Sequence, residues 1–361
     1  MMKSFIALIT ATLCFGTGCI SSLFEPLLFP ESPKTESVQF AANLGKGWNL
    51  GNTLEACEKG SEEKMGPESE VYWGNPYTTK ELMATVKQAG YSSVRIPVTW
   101  APHLDENYII DPAWLSRVGE VVDIVLECGM YAIINVQHDD AFWLITDKEH
   151  EEKAVMILSK LWSQIGDYFK DYDERLIFET MNEPRVTGVD TEWIGIPEHY
   201  EVVNKLNSAA LEAMRNSGGN NKERFVMITT YAARHEKEPV SALTLPDDDK
   251  VLVSIHFYYG TAHQSEFLDC EKKLRLSDKI EIYKYFRSFY KAFIKKGYGV
   301  VLGEYGWTDR ENLDNLAKKA EYFVNIGNSF GIPCLVWDNG SHFRIIDRST
   351  NEVEFPMYVV A

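Results

Sequence analysis

The chain has 361 residues, 45% of them hydrophobic, which is enough apolar material for one large domain or two ordinary ones. Its 36 Lys and Arg against 53 Asp and Glu leave a formal charge of −17, which repels phosphate backbones and argues against nucleic acid as a partner. A neutral polymer is not excluded by that charge, and 9 Trp and 18 Tyr can fill a core or serve as flat platforms for sugar rings.

The amino terminus reads as a targeting segment. Lys3 precedes an apolar run over residues 5–15 and then Gly16-Thr17-Gly18-Cys19, the pattern of a secretory signal, too short for a spanning helix. Small residues directly before Cys19 also fit a bacterial lipoprotein lipidated on that cysteine, so the expected location is extracellular or the cell surface, with the membrane touched only through a lipid anchor. Residues 20–37, with Pro26, Pro30 and Pro33, read as a tether, and 38–361 as one domain, a monomer by default. Cys57, Cys128, Cys270 and Cys334 show no paired spacing, which disfavours structural zinc; Cys128 and Cys334 read as buried free thiols.

After Phe40, strands ending in polar groups alternate with amphipathic helices. The first strand lies near residues 45–52. Thr78 and Glu81 read as a capping box opening a helix that stops at Gly90. Residues 93–98 form the second strand. Asp111 caps a helix with Pro112 in first position; Trp114, Leu115, Val118, Val121, Val122, Val125 and Leu126 are its apolar face, and Gly129 ends it. A third strand covers 131–136, a helix about 150–170, and a fourth strand runs from Leu176 to Glu183, where Pro184 forbids further ladder pairing. A helix over about 199–216 leads to a fifth strand at 225–230 and a sixth at 251–257. Ile280, Tyr283, Phe286, Tyr290, Phe293 and Ile294 mark a helix stopping at Gly297, before a seventh strand that carries Glu304. A last helix from Leu313 to Gly331 precedes the eighth strand, 332–337. This alternation predicts a single (β/α)8 TIM barrel with its site at the carboxyl ends of the strands. An open doubly wound sheet is the alternative, but no Gly-rich phosphate fingerprint follows the first strand.

The expected strand ends collect Asn49, Asn52, Arg95, Gln137, His138, Asn182, Glu183, His256, Tyr258, Glu304, Trp337 and Asp338. One such residue would be a loop hydrogen-bonder; the whole set facing one cup is not what surface loops accumulate. Two Glu residues in one cup suit glycosidic bond cleavage, one holding a proton for the leaving oxygen and the other ionised. Arg95 is suited to hold the second Glu charged. Tyr305 would point away from Glu304 on a regular strand, so Tyr258 is the better hydrogen-bond donor to it. Asn182 can bind a sugar hydroxyl and Trp337 can stack under a pyranose ring. A metal centre built from His138, Asp139, Asp140, His256 and Glu304 competes weakly: paired-His spacing is missing and Arg95 would oppose a cation. No cofactor is called for.

At these residues the chain resembles glycoside hydrolase family 5, from Asn43 to Pro356, and most of all its branch of bacterial endo-β-1,4-glucanases and xyloglucanases. The matching stretches include Gly47-Trp48-Asn49-Leu50-Gly51-Asn52, Arg95-Ile96-Pro97-Val98, Phe178-Glu179-Thr180-Met181-Asn182-Glu183-Pro184-Arg185, Ser254-Ile255-His256, Gly303-Glu304-Tyr305-Gly306 and Trp337-Asp338-Asn339-Gly340. The resemblance implies a retaining enzyme acting on a β-glucan polysaccharide, with Glu183 as acid and base and Glu304 as nucleophile. It implies supporting roles for Arg95, Asn182, His256, Tyr258 and Trp337, and Asn49, Asn52, Gln137 and His138 are further candidates for binding substrate. Gln137 stands where the family carries the first of two His residues, and His138 matches the second. Gln cannot titrate near neutral pH, so altered preference or a lower rate is expected, and a glycan-binding protein with impaired catalysis is the alternative. The short stretch 339–343 also departs from longer relatives.

Overall fold

Inward and outward residues alternate along the strands, and pairing of the last strand with the first closes the chain on itself. In the computed structural model, which describes residues 29–258, 274–308 and 313–355, eight parallel strands pair in sequence order and β8 pairs back to β1. The strands are β1 (Gly47–Leu50), β2 (Ser93–Ile96), β3 (Tyr131–Ile134), β4 (Leu176–Glu179), β5 (Val226–Thr229), β6 (Val251–His256), β7 (Gly299–Tyr305) and β8 (Cys334–Asp338). The helices are α1 (Glu36–Asn43), α2 (Lys80–Gln88), α3 (Pro112–Glu127), α4 (Glu151–Phe169), α5 (Pro197–Asn216), α6 (Lys237–Ala242), α7 (Leu276–Ala292) and α8 (Leu313–Ser329). This is a (β/α)8 barrel, and the β1–β8 pairing rules out an open sheet.

Ile133, Ile177, Met227, Leu252, Val301 and Leu335 point into the barrel and form an apolar floor, while Ile134, Phe178, Val253, Leu302 and Val336 face the helices. Above the floor the inward positions turn polar. Below it, α1 closes the barrel: Ala41 and Leu44 join the floor, and the Phe40 ring stacks on Phe225 with centroids 3.6 Å apart. The Ser37 hydroxyl donates to the Val251 carbonyl at 2.5 Å and accepts from the Gly299 amide at 2.7 Å. A Cβ at Gly299 would fall 2.4 Å from the Ser37 carbonyl, so this close approach requires glycine.

Two expectations are corrected here. The end of the expected tether is part of the domain: Phe29 packs edge-on against Tyr283 and Phe330, the Tyr290 hydroxyl donates to the Glu31 carbonyl, and Thr35 caps α1. An aromatic side chain among the prolines is enough to dock that stretch. The expected signal, Cys19 and the first part of the expected tether lie outside the described residues. The cap of α2 is Thr79, whose hydroxyl accepts from the Leu82 amide at 3.3 Å, and not Thr78. Thr78 is held by its own amide, which donates to the buried Glu70 carboxylate at 2.6 Å. Asp111 caps α3 as expected, accepting from the Ala113 amide at 2.8 Å. Among the described residues Cys57, Cys128 and Cys334 are free thiols; Cys334 is buried as expected, Cys128 at the end of its helix is only half-buried, and Cys270 lies outside the described residues. Among the described residues no helix is long and apolar enough to cross a membrane.

Candidate active site

The polar layer is organised around Arg95. Its side chain is wholly buried, and it donates to Glu179 at 2.6 Å, to Glu304 Oε1 at 2.7 Å, to Asn182 Oδ1 at 2.8 Å and to Asn49 Oδ1 at 3.1 Å. Burial works against the guanidinium charge, and the carboxylates of Glu179 and Glu304 outweigh it, holding Arg95 above its ordinary range. Glu179 is the residue that sequence reading missed. It is fully buried and accepts from Arg95, from Asn135 Nδ2 at 3.0 Å and from the Ser254 hydroxyl at 2.6 Å. A Glu at an inward position of an otherwise apolar strand was the available signal.

The two expected acids reach the cup by different local routes. Strict alternation along β7 would send Glu304 outward, because Val301 points in and Leu302 out. The ladder shifts instead: Ile255 pairs with Leu302 but His256 with Glu304, so Gly303 is an extra residue that re-aims Glu304 inward and Tyr305 into the outer core. A Cβ at Gly303 would lie 2.9 Å from Ser254 Oγ and 3.1 Å from His256 Nε2, so any side chain there would displace Ser254 or His256. Glu183 is not on β4 as expected. That strand ends at Glu179, and alternation breaks at Met181, which packs outward. The chain is then carried on by the Asn182 amide, which donates to the Val136 carbonyl at 2.8 Å.

His256 lies between the two carboxylates. Its Nδ1 is 2.8 Å from Glu183 Oε1 and 3.6 Å from Glu304 Oε2, and one oxygen of each Glu and a ring nitrogen all lie within 4.8 Å of one another. The Tyr258 hydroxyl donates to Glu304 Oε2 at 2.7 Å. Burial first, and then the Glu304 charge, push the Tyr258 phenol well above its ordinary range, so it stays a donor. Glu304 is thus gripped on both oxygens, while Glu183 keeps 18% of its side chain exposed to the cleft.

The other expected residues divide into two groups. Asn49 is wholly buried; it accepts from Arg95 and donates to the Gly303 carbonyl at 2.9 Å, so it positions the charge network and cannot touch a ligand. Arg95 likewise acts through Glu304. Asp338 is structural, accepting from Trp48 Nε1, from the Gly340, Ile345 and Ile346 amides and from Arg348. At the rim, Trp337 is half-buried with its indole over Gly51, where a Cβ would lie 2.7 Å from Cζ2. Asn52 sits in the left-handed region at φ 56° and its amide donates to Glu55. Gln137 Oε1 accepts from Asn135 Nδ2 at 2.6 Å, which leaves the Gln137 amide group as donor. Half-buried His138 rests against Trp73; desolvation, then Lys59, push its ring down to about 3, so it is neutral. Of the residues a metal reading would use, Asp139 is held by the Trp100 and Ala101 amides and Trp143, Asp140 faces Arg185, and Arg95 already sets a positive charge against Glu304.

The pattern of Cellulase (glycosyl hydrolase family 5) matches residues 56–343. Endoglucanase A of Clostridium longisporum is 38% identical over 361 residues, spanning 97% of this chain and 69% of that protein. The structure of a GH5-4 broad specificity endoglucanase from Ruminococcus champanellensis with bound cellotriose is 33% identical at a TM-score of 0.85, over 91% of this chain and 99% of that one. A GH5 xyloglucan-specific endo-β-1,4-glucanase from a metagenomic library, in complex with cellotriose, is 34% identical at a TM-score of 0.83, over 90% of this chain and 97% of that one. With a matching pattern over most of the chain, the same barrel and a paired-carboxylate cup at its carboxyl end, this chain belongs to glycosyl hydrolase family 5.

Proposed function

We propose that the protein is an endo-acting β-1,4-glucanase that works by double displacement, with Glu304 as nucleophile and Glu183 as acid and base. The observation that carries this reading is the unequal setting of two neighbouring carboxylates. Glu304 accepts from Arg95 on one oxygen and from Tyr258 on the other, which fixes and orients it for attack, while Glu183 faces the cleft beside His256. Their approach within 4.8 Å supports retention, since retaining pairs stand about 5–5.5 Å apart and inverting pairs about 6.5–9.5 Å. In the first step Glu304 attacks the anomeric carbon as Glu183 protonates the departing oxygen. In the second, Glu183 takes a proton from water, which displaces Glu304. Asn182 has its Oδ1 occupied by Arg95, so its amide group is left to donate to a sugar hydroxyl. Trp337 supplies the platform, with Asn52 and His138 along the rim, and the buried Gln137 below them offers its amide group. Relatives named as endoglucanases, and related structures holding cellotriose, support a β-glucan as substrate.

Soluble β-glucan, xyloglucan, lichenan and mannan tested side by side should show a rapid fall in viscosity on a β-1,4-glucan before much reducing sugar accumulates. Oligosaccharide binding with negligible turnover on every polymer would instead establish the binding-protein reading that Gln137 raises. The signal pattern and Cys19 support a lipid-anchored location at the cell surface. On that reading Cys19→Ala moves the protein from the membrane fraction to the soluble fraction; retention of the variant in the membrane fraction excludes it.

A further inference from the structure

The residue after Pro184 places a cation next to the proposed acid. Arg185 Nη1 donates to the Glu183 carbonyl at 2.9 Å and stands 3.8 Å from Glu183 Oε2. The same nitrogen is 3.1 Å from Asp140 Oδ2, Nε is 3.1 Å from Glu192 Oε1, and the guanidinium lies 4.4 Å over the Trp193 ring. Only 13% of the Arg185 side chain and 6% of Asp140 are exposed, so water screens these charges weakly. Among the described residues Asp140 Oδ1 is buried without a hydrogen-bond partner, so its carboxylate leans on Arg185, with a smaller contribution from Lys59, for compensation.

This arrangement contains a conflict. An acid must carry its proton when the leaving oxygen departs, and a cation within about 4–6 Å favours the bare carboxylate. Asp140 and Glu192 draw the Arg185 charge away from Glu183. We infer that the Asp140–Arg185 pair is a charge-balancing device that sets the pH range over which Glu183 keeps its proton. Both are positioning residues that act through Glu183, and the inference rests on Glu183 being the acid. Among the described residues, other groups that face Glu183 include His256 at the end of β6, Glu304 on β7, His138 after β3 and Tyr258 after β6. Lys59 adds a positive charge felt by Asp140 and His138. Desolvation pushes the Asp140 carboxyl up, with Arg185 and then Lys59 opposing it, as coupling between these groups requires.

The test is the pH profile of kcat/KM on a cello-oligosaccharide, whose poor leaving group needs the acid. The alkaline limb reports loss of the acid's proton in the free enzyme. Asp140→Asn, of the same shape but uncharged, leaves Arg185 unopposed and should move that limb to lower pH by about one unit. Arg185→Gln should move it to higher pH by about one unit, and Arg185→Lys, which keeps the charge but loses the stack on Trp193, should leave it near the natural position. A purely structural role predicts lower rates with unmoved limbs, and that result, or a shift of both variants in one direction, overturns the inference. If Asp140→Asn does not fold, the comparison of Arg185→Gln with Arg185→Lys decides alone. Glu183→Gln separates the two failures. If its alkaline limb persists, Glu183 is not the acid. If that limb disappears while the Asp140 and Arg185 variants do not shift, only the charge-balancing inference is lost.

Discussion

Glu304→Ala is expected to reduce β-glucan hydrolysis on the order of 10⁴-fold or more, as loss of a covalent nucleophile does. The deleted side chain leaves room beside the anomeric carbon, so added azide should attack there and give a glycosyl azide of inverted configuration from an activated aryl glycoside. Glu183→Ala should behave differently. It should lose about 10²- to 10⁴-fold on polymer, where the leaving oxygen needs a proton, and far less on an aryl glycoside whose leaving group needs none. Azide should then intercept the Glu304-linked sugar and give the retained configuration. The contrast follows from geometry: Arg95 and Tyr258 grip both oxygens of Glu304, whereas Glu183 meets the cleft. An azide product of the same configuration from both variants would falsify the assignment of roles.

The second large effect is on stability. Arg95→Met removes the cation that Glu179 and Glu304 share and leaves two buried carboxylates uncompensated. Breaking a buried pair on one side costs about 3–5 kcal/mol, so the urea midpoint should fall by that equivalent at unchanged slope. Adding Glu179→Gln removes one of the stranded charges and should recover part of the loss, the positive coupling expected of residues in direct contact. Activity should not return with it, because Glu304 still lacks its cation. A single variant within about 1 kcal/mol of the natural protein would show that the Arg95 network does not hold the barrel interior together.

Much of this architecture was legible in the chain. Short, largely apolar strands with helices between them bury both faces in a parallel sheet covered by helices, and the absence of a phosphate fingerprint pointed away from the open form. The convergence of Arg95, Glu183, His256, Tyr258 and Glu304 was anticipated from their places at strand ends. Reading by strand ends was less able to separate the residues that face the cleft from those beneath it. Asn49 and Asp338 carry the same polar signature as Trp337, yet both are buried and serve the scaffold. Glu179 was passed over because a carboxylate inside a barrel makes sense only once Arg95, Asn135 and Ser254, from three other strands and their ends, are seen around it.

By itself, the order of apolar periods, caps and breakers determined the barrel, and the residue types at the strand ends determined the class of chemistry. Only the folded chain decided which Glu is gripped and which is open. A strand's period of two assigns sides as long as the ladder is regular, and here it is not regular where it matters. The extra residue at Gly303 turns Glu304 inward, and the end of β4 at Glu179 frees the following segment to deliver Glu183. Both irregularities depend on contacts with neighbouring strands, Ser254 and His256 against Gly303 and Val136 with Asn182, which no local stretch of sequence contains.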